Sequence, residues 1–393
     1  MKHIKTYRIF ETSTTLTEEQ KKFLEWFVDG VWSLNPQTGR VDVDGGCSCT
    51  DPNEELDDLS GIQFGDVSGD FTIINQRITD LKGAPRTVGG NFDCNKNGLT
   101  SLEGAPETVA GAFYCQSNRL TNLKGSPRTV GGDFYCHNNK LTSLEGAPET
   151  VGGTFYCNNN KSLTSLKGGP RIVGWHFYCQ FNSITVLEGA PETVAGAFYC
   201  QNNRLTNLKG SPRTVGGDFS CYDNKLTSLE GAPETVEGDF DCGRNGLTSL
   251  EGAPETVGVD FRCSLNQLTN LKGGPRTVGR DFYCSNNPLT SLEGAPQNLG
   301  KNFYCDEFVI KWTLEEKLEV LKEGSAEDKV LIATAISPEA LQQQIDENPI
   351  GMAVDLKGVW KTLKRIPGYE KLKFPPEYSE EAETLSDLED IGL

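Results

Sequence analysis

The feature that most constrains this chain is a cysteine that recurs every 21 residues. Nine of the ten gaps between successive cysteines are 21 residues long, and one is 22 because of an extra residue within 160–163. Ile73 lies 21 residues before the first of these cysteines, so the array begins with a turn that has isoleucine in the cysteine position. A fixed period of this length is typical of stacked repeats, and we predict about twelve turns between residues 66 and 308. The array comprises Cys94, Cys115, Cys136, Cys157, Cys179, Cys200, Cys221, Cys242, Cys263, Cys284 and Cys305.

Within each repeat, the sequence separates into a turn, an extended segment and a second turn. The tripeptide GAP, GSP or GGP marks the first turn. In the extended segment, Val194, Phe198 and Cys200 have the same parity, so their side chains are expected on one side of a strand. An asparagine follows each cysteine by three residues from Asn97 to Asn287. We predict that its amide is buried and bonds backbone groups of its own loop and of the next turn.

The motif F-x-C-x-x-N-x-L resembles the core of the leucine-rich repeat, L-x-L-x-x-N/C-x-L, with Phe and Cys in leucine positions. One departure is the valine four residues before Phe, where the family usually has three. The sequence of residues 141–157, LTSLEGAPETVGGTFYC, also resembles that of repeat proteins of tailed phages. The resemblance covers roughly 60% of the chain and implies an α/β, mostly β, leucine-rich-repeat-like solenoid. Such a solenoid would have one parallel sheet of about twelve short strands, with helical caps at both ends.

The cysteines are interpreted as a buried file of small apolar groups, because free cysteine is among the most buried residue types. The alternative is a metal or redox array, which the scarcity of histidine and the absence of C-x-x-C in the repeats disfavour. We therefore expect no cofactor and no metal site. Cys47 and Cys49 lie outside the array, and their sequence leaves two interpretations open, a redox pair or part of a cap.

The residue between Phe and Cys, and the residue before Phe, are expected to point away from the core onto a concave face. Tyrosine brings a large contact area and is enriched at interfaces, although stacked tyrosines also stabilise sheets. Trp175, in a position that is usually glycine, and His176 are the predicted centre of a binding patch. The candidate binding residues are Tyr114, Tyr135, Tyr156, Trp175, His176, Tyr178, Tyr199, Asp218, Asp239, Asp241, Arg262 and Tyr283.

Four regions are predicted along the chain. Residues 1–65 are an N-terminal helical cap region, in which Thr17 and Gln20 form a capping box, and residues 66–308 are the solenoid. Residues 309–376 are a C-terminal helical domain, with helices expected at 313–323, 326–335, 338–347 and 352–363. Residues 377–393 are an acidic tail.

Charge limits the classes of partner. The chain has 37 Lys and Arg against 55 Asp and Glu, a formal net charge of −18. This balance argues against binding to nucleic acid or to an anionic membrane. Because there is neither a long apolar stretch nor a secretory signal, we expect a cytoplasmic protein, in the host cytoplasm if phage-encoded, with a virion as the other possibility. Lys and Glu alternate from repeat to repeat along the turns, which is expected to fix the register of the stack.

No catalytic constellation is present in the sequence. The resulting hypothesis is a non-enzymatic, protein-binding scaffold that uses its concave Tyr/Asp face and, as a phage protein, acts on a host factor. The alternative is a structural component of a phage virion or tail, anchored by the C-terminal helical domain. An enzyme acting through the terminal domain is a third hypothesis. The sequence indicates neither the partner's identity nor the oligomeric state.

Overall fold

The computed structural model describes residues 15–51, 53, 55–289 and 291–305, and in the C-terminal region residues 318, 333, 338–356, 360–364, 369 and 371–374. The chain forms an N-terminal helix and hairpin, followed by twelve stacked turns. The predicted mostly β solenoid is confirmed. No helix among these residues is both long and apolar enough to cross a membrane.

The N-terminal region contains one helix and a β-hairpin. Helix α1 (Glu18–Phe27) begins at the predicted capping box, in which the backbone N–H of Gln20 donates to Thr17 Oγ1 over 3.1 Å. Strands β1 (Val28–Leu34) and β2 (Val41–Cys49) then pair antiparallel. The expectation of a helical cap therefore missed the hairpin, whose alternating V-D-V-D pattern has the period of a half-buried strand. Because β2 also pairs in parallel with the first strands of the solenoid, the cap and the repeats share one sheet.

Each turn contributes two short strands, which form two parallel ladders. We call them the Val ladder and the Phe ladder. The strands alternate along the chain, the Val ladder holding β3 and every second strand to β25, and the Phe ladder β4 to β26. The Val ladder consists of Phe64–Val67, Thr87–Val88, Thr108–Val109, Thr129–Val130, Thr150–Val151, Ile172–Val173, Thr193–Val194, Thr214–Val215, Thr235–Val236, Thr256–Val257, Thr277–Val278 and Asn298–Leu299. The Phe ladder consists of Phe71–Ile73, Phe92–Asp93, Phe113–Tyr114, Phe134–Tyr135, Phe155–Tyr156, Phe177–Tyr178, Phe198–Tyr199, Phe219–Ser220, Phe240–Asp241, Phe261–Arg262, Phe282–Tyr283 and Phe303–Tyr304.

A glycine-rich bend separates the two strands of a turn, where the sequence pattern suggested one continuous strand. At this bend the backbone packs directly on the preceding turn. A Cβ added to Gly152 would overlap the carbonyl oxygen of Gly131, and one added to Gly174 would overlap that of Gly152. Glycine predominates at this contact, although Ala110, Ala195 and Glu237 hold the same position in other turns. The chain bends here between the two strands while Val, Phe and Cys still face inward.

The core is a set of continuous side-chain files. The phenylalanine rings from Phe71 to Phe303 stack turn on turn, with centroids 5.1–5.7 Å apart. None of the cysteines forms a disulfide, and all are buried except the half-buried Cys305. The thiol of Cys115 donates to the carbonyl of Tyr135 in the next turn over 3.2 Å. The prediction of an inward cysteine file is confirmed.

Cys47 and Cys49 belong to the same core. In β2 they pair with Phe71 and Ile73, so they occupy the Phe and Cys positions one turn before the first repeat. Neither forms a disulfide, both are buried, and burial raises the pKa of the Cys47 thiol to about 12. A buried thiol with a raised pKa is a poor nucleophile. The structure therefore favours the cap interpretation over the redox pair.

The asparagine file satisfies the backbone at the turn after each cysteine. The Asn118 side-chain amide donates to the carbonyls of Cys94 and Cys115, at 3.0 and 3.1 Å. Its Oδ1 accepts from the backbone N–H groups of Asn97 and Leu99 in the preceding turn. The predicted amide ladder is confirmed, and it links each turn to its neighbour.

The alternating charges pair between turns as predicted. Lys124 contacts Glu145 at 3.0 Å, and Arg128 contacts Glu149 at 2.9 Å. These pairs are exposed, so each stabilises the fold by only about 0.2–1 kcal/mol. Their main effect is on register, because a shift by one turn would bring like charges together.

Three helices are described in the C-terminal region: α2 (Pro338–Glu347), α3 (Pro349–Asp355) and α4 (Trp360–Leu363). The helix predicted at 338–347 is confirmed. The helix predicted at 352–363 is divided, because α3 begins earlier, at Pro349 after the N-cap Asn348, and is capped at Leu356. The helices predicted at 313–323 and 326–335 and the acidic tail lie outside the described residues, apart from residues 318 and 333.

Candidate tyrosine face

The outward side chains of the Phe ladder form a surface that we call the tyrosine face. Its longest part is an unbroken stack of five tyrosine rings, with neighbouring centroids 4.4–5.1 Å apart. The strands place them in register, as in the pairing of Tyr135 with Tyr156. The five rings are those of Tyr114, Tyr135, Tyr156, Tyr178 and Tyr199.

Because the rings cover one another's faces, the stack presents ring edges and hydroxyl groups to solvent. Tyr135 donates its hydroxyl proton to Asp133, and Tyr199 donates to Asp218 over 2.9 Å. Burial and these carboxylate partners raise the pKa of both phenols. These two hydroxyls therefore remain protonated, and because each gives its one proton to a carboxylate, its oxygen can still accept a hydrogen bond from a bound molecule.

The aspartates that precede Phe stabilise the stack of turns, in addition to lying on the outward face as predicted. Asp218 Oδ1 accepts the backbone N–H of Asp239 in the next turn, and Asp239 Oδ1 accepts that of Asp260, both over 3.0 Å. Only the second oxygen of each carboxylate faces outward partners. This column therefore stabilises the stack through one oxygen, while the other accepts from side chains of the face, Tyr199 at Asp218 and Arg262 at Asp239.

Beyond the tyrosine stack the face is polar. Asp241 accepts the backbone N–H of Gly243 over 2.9 Å, and burial raises the pKa of its carboxyl group. Arg262 makes ion pairs with Asp239 and, over 2.6 Å, with Asp260. Its guanidinium carbon lies 5.2 Å from the centroid of the Tyr283 ring. These residues form one electrostatic cluster.

Trp175 and His176 lie at the edge of the tyrosine face, in the turn that follows the one-residue insertion within 160–163. The indole of Trp175 is 55% exposed and meets the His176 ring edge-on, at 5.1 Å between centroids. His176 Nδ1 accepts the backbone N–H of Ala197 over 2.8 Å, so it replaces the usual aspartate of this column. The structure thus brings Trp175 beside Tyr178 through His176, whose ring lies 5.8 Å from that tyrosine.

The same turn exposes three further apolar side chains that the sequence analysis did not select. Ile172 is 58% exposed, Phe181 49% and Val186 40%. Phe181 also adopts a positive φ of 58°, in a column that elsewhere holds residues such as Ser117 and Asn202. The sequence does indicate two of these positions. Ile172 lies where most other turns have threonine, and Val186 lies where they have serine or asparagine. A groove of about 700 Å³ lies beside Ile172.

A column of polar side chains follows the cysteines beside the tyrosine stack. Four buried acceptor atoms in this column have no hydrogen-bond partner within the described part of the chain: Gln116 Oε1, His137 Nδ1, Gln180 Oε1 and Gln201 Oε1. Buried acceptors without a partner carry a free-energy cost.

The predicted residues therefore meet on one face, with Trp175 at its edge. The described residues contain no group of three or more His, Cys, Asp or Glu side chains arranged to hold a metal ion. What the face can supply is π edges, phenol donors, carboxylates and one exposed indole. These groups suit non-covalent recognition.

No protein-family model matches the chain, and no curated protein matches it. One similar solved structure is YopM from Yersinia enterocolitica WA-314, at 19% sequence identity and a TM-score of 0.43. The match covers 67% of this chain and 63% of that chain, so this chain spans less than two thirds of its length.

Proposed function

We propose that this protein is a non-enzymatic scaffold that binds a protein partner on its tyrosine face. The observation that carries the proposal is the turn 166–187, which exposes Ile172, Trp175, Phe181 and Val186 and connects Trp175 through His176 to the ordered tyrosine stack. An exposed aromatic patch that continues an ordered surface often marks an interaction site.

The stack supports protein binding because it is already ordered. Each ring of the stack is held against its neighbour at 4.4–5.1 Å, so little side-chain entropy remains to be lost on association. The edge-on arrangement is less suited to a carbohydrate, which stacks on exposed aromatic faces.

We further propose a setting for this activity. The repeat sequence resembles that of tailed-phage proteins. The proposed partner is therefore a host factor in the cytoplasm of an infected bacterium. The net charge of −18 favours a partner with a complementary basic surface.

The experiment is affinity capture from bacterial lysate, read by mass spectrometry, with wild-type protein and two variants. The double variant Trp175→Gly, Phe181→Asn restores residues usual in their columns, and Tyr156→Ala, Tyr178→Ala interrupts the stack. We expect both to lose the captured protein. Val31→Ala, at a 72% exposed residue of the hairpin, is the control and should retain it.

Unchanged thermal unfolding of the Trp175→Gly, Phe181→Asn variant would show that lost capture is not lost folding. Equal capture by wild-type protein and both variants would contradict the proposal. Recovery of the chain in purified virus particles instead of with a host protein would favour the virion alternative.

A further inference from the structure

The tyrosine stack stops at Ser220, and the gap that follows has its own geometry. Ser220 pairs in register with Tyr199 on one side and with Asp241 on the other. Arg262 continues the column one turn later. With about 4.8 Å between turns, about 14 Å of backbone separates Tyr199 from Arg262, and only two short side chains lie between them. We call this gap the Ser220 notch.

A single difference between two nearly identical segments creates the notch. Residues 104–151 and 189–236 agree at 44 of 48 positions, and Tyr135 of the first segment corresponds to Ser220 of the second. Tyr135 packs between Tyr114 and Tyr156, with centroids 4.7 and 4.4 Å away. Tyr199 stacks on Tyr178 alone, and in the described part of the chain no ring covers its other face. The substitution therefore uncovers one aromatic face.

The notch is lined by carboxylates that lack a full set of cationic partners. Asp218 accepts the Tyr199 hydroxyl through Oδ2. Asp241 uses Oδ1 for the Gly243 N–H, and its Oδ2 makes no hydrogen bond within the described residues. The ion pairs of Arg262 go to Asp239 and Asp260. The charge at the floor of the notch therefore favours an incoming cation.

The chain itself shows how this face holds a guanidinium group. Arg262 lies 5.2 Å from the ring of Tyr283 and pairs with two aspartates of the column before Phe. Stacking on an aromatic ring together with carboxylate pairing is characteristic of arginine rather than lysine. The notch offers the same elements, an open tyrosine face and aspartates, without an arginine of the chain in them. Tyr222, whose ring packs beside Gly243, flanks the notch.

From this geometry we infer that the Ser220 notch binds an arginine side chain of the partner, stacked on Tyr199 and paired with Asp241 and Asp218. The inference rests on the proposed function and specifies the chemistry of the partner. Arginine is also among the residues that contribute most to binding at interfaces.

The experiment is an NMR titration of the full chain carrying isotope-labelled tyrosine, with Nα-acetyl-arginine amide as the probe. The Tyr199 resonance is assigned as the one missing from a Tyr199→Phe sample. At constant ionic strength we expect a saturable shift of this resonance with the arginine amide. The lysine amide should give a weaker shift, and the neutral citrulline amide should give none.

Ser220→Tyr is the matched variant, because tyrosine occupies the corresponding position in the first segment. It should fold with unchanged or higher thermal stability and weaken the probe's affinity about tenfold or more, through loss of the stacking site. Asp241→Asn should weaken it through loss of charge. The inference is overturned by an equal shift with citrulline amide, by undiminished affinity in Ser220→Tyr, or by no Tyr199 shift.

The two proposals can fail separately. Suppose that the Trp175→Gly, Phe181→Asn variant loses the captured protein and Ser220→Tyr retains it. The proposed function would then be retained, and the notch would be refuted as the arginine site. Saturable arginine binding by a chain that captures no protein would retain the guanidinium site and refute the proposed function.

Discussion

At the scale of single residues, the buried asparagine is the side chain that links the turns. Asn160 is completely buried, and its amide donates to the carbonyls of Cys136 and Cys157, at 3.3 and 3.0 Å. Its Oδ1 accepts the N–H groups of Asn139 and Leu141. An asparagine has the donors and acceptors for all of these groups at once, which no aliphatic side chain of similar size provides.

Asn160→Ala should therefore be strongly destabilising. It leaves two buried backbone N–H groups, those of Asn139 and Leu141, without a partner, each costing about 1–3 kcal/mol. We expect the free energy of unfolding to fall by about 3 kcal/mol or more, measured by urea denaturation. Asn158→Ala, two residues earlier, is the control, because the Asn158 side chain makes no hydrogen bond in the described structure. Similar losses in both variants would contradict the role of the amide.

The sequence predicted the recurring residues well and the exceptions poorly. The Asn, Cys and Phe columns repeat often enough for their periodicity to indicate which side of the backbone each faces. Phe181 and Ser220 each occur once in their columns, so nothing in the pattern indicated an exposed phenyl ring at positive φ or an uncovered face of Tyr199. Those properties depend on neighbouring turns and needed coordinates.

At the scale of elements, the turn is two short strands joined by a glycine bend. The parity of the Val, Phe and Cys positions runs continuously through the glycines, so the sequence pattern could not reveal the bend. The bend exists because Gly152 packs against the carbonyl of Gly131. The hairpin of β1 and β2 was missed for another reason, since it lies outside the repeat and only its pairing with the Phe and Val ladders shows its role.

Gly152→Ala tests the bend. The added Cβ would overlap the Gly131 carbonyl oxygen, which is backbone and cannot move without displacing the neighbouring turn. Because Ala110 and Ala195 hold the same position in other turns, the stack can adjust to this Cβ, and we expect a loss of about 1 kcal/mol in the free energy of unfolding. At Gly98 the nearest atoms to an added Cβ are 3.5 Å away, so Gly98→Ala should change stability by less than about 0.5 kcal/mol. Equal effects at the two glycines would argue against the close packing of turns.

At the scale of the whole molecule, the repeats form a single stack in which each turn contacts mainly its neighbours. Stability in such an architecture is approximately the sum of contributions from turns and from their interfaces. The buried thiols contribute along the entire stack, because nearly every turn places one in the core. Because all of these buried thiols titrate in the same pH range, their effects add up along the stack and give the whole molecule a property larger than the contribution of any one turn.

That property is a steep loss of stability at alkaline pH. Burial raises the pKa of the core thiols above the ordinary value of 9.0, to about 12 for Cys47. The native state therefore keeps protons that the unfolded chain loses, so stability is fully present below pH 9 and decreases as the pH rises further. Each buried thiol contributes up to about 1.4 kcal/mol per pH unit.

We expect the urea midpoint, measured by tryptophan fluorescence, to fall sharply between about pH 9 and about pH 11. Cys47→Val removes one thiol from the core and should reduce the slope of stability against pH by the contribution of one group. A midpoint that is constant over this interval would mean that the thiols titrate equally in the native and unfolded states.

The central claim is that stacked turns enclose the cysteines in one continuous core. The most direct measurement is the rate at which a thiol reagent labels each cysteine, resolved by peptide mass spectrometry, in native protein and in urea. The account predicts rapid labelling of all 13 cysteines in urea, but in native protein rapid labelling only of the half-buried Cys305 and strong protection of the 12 buried thiols. Equal labelling rates in the native and unfolded states at these 12 positions would contradict it.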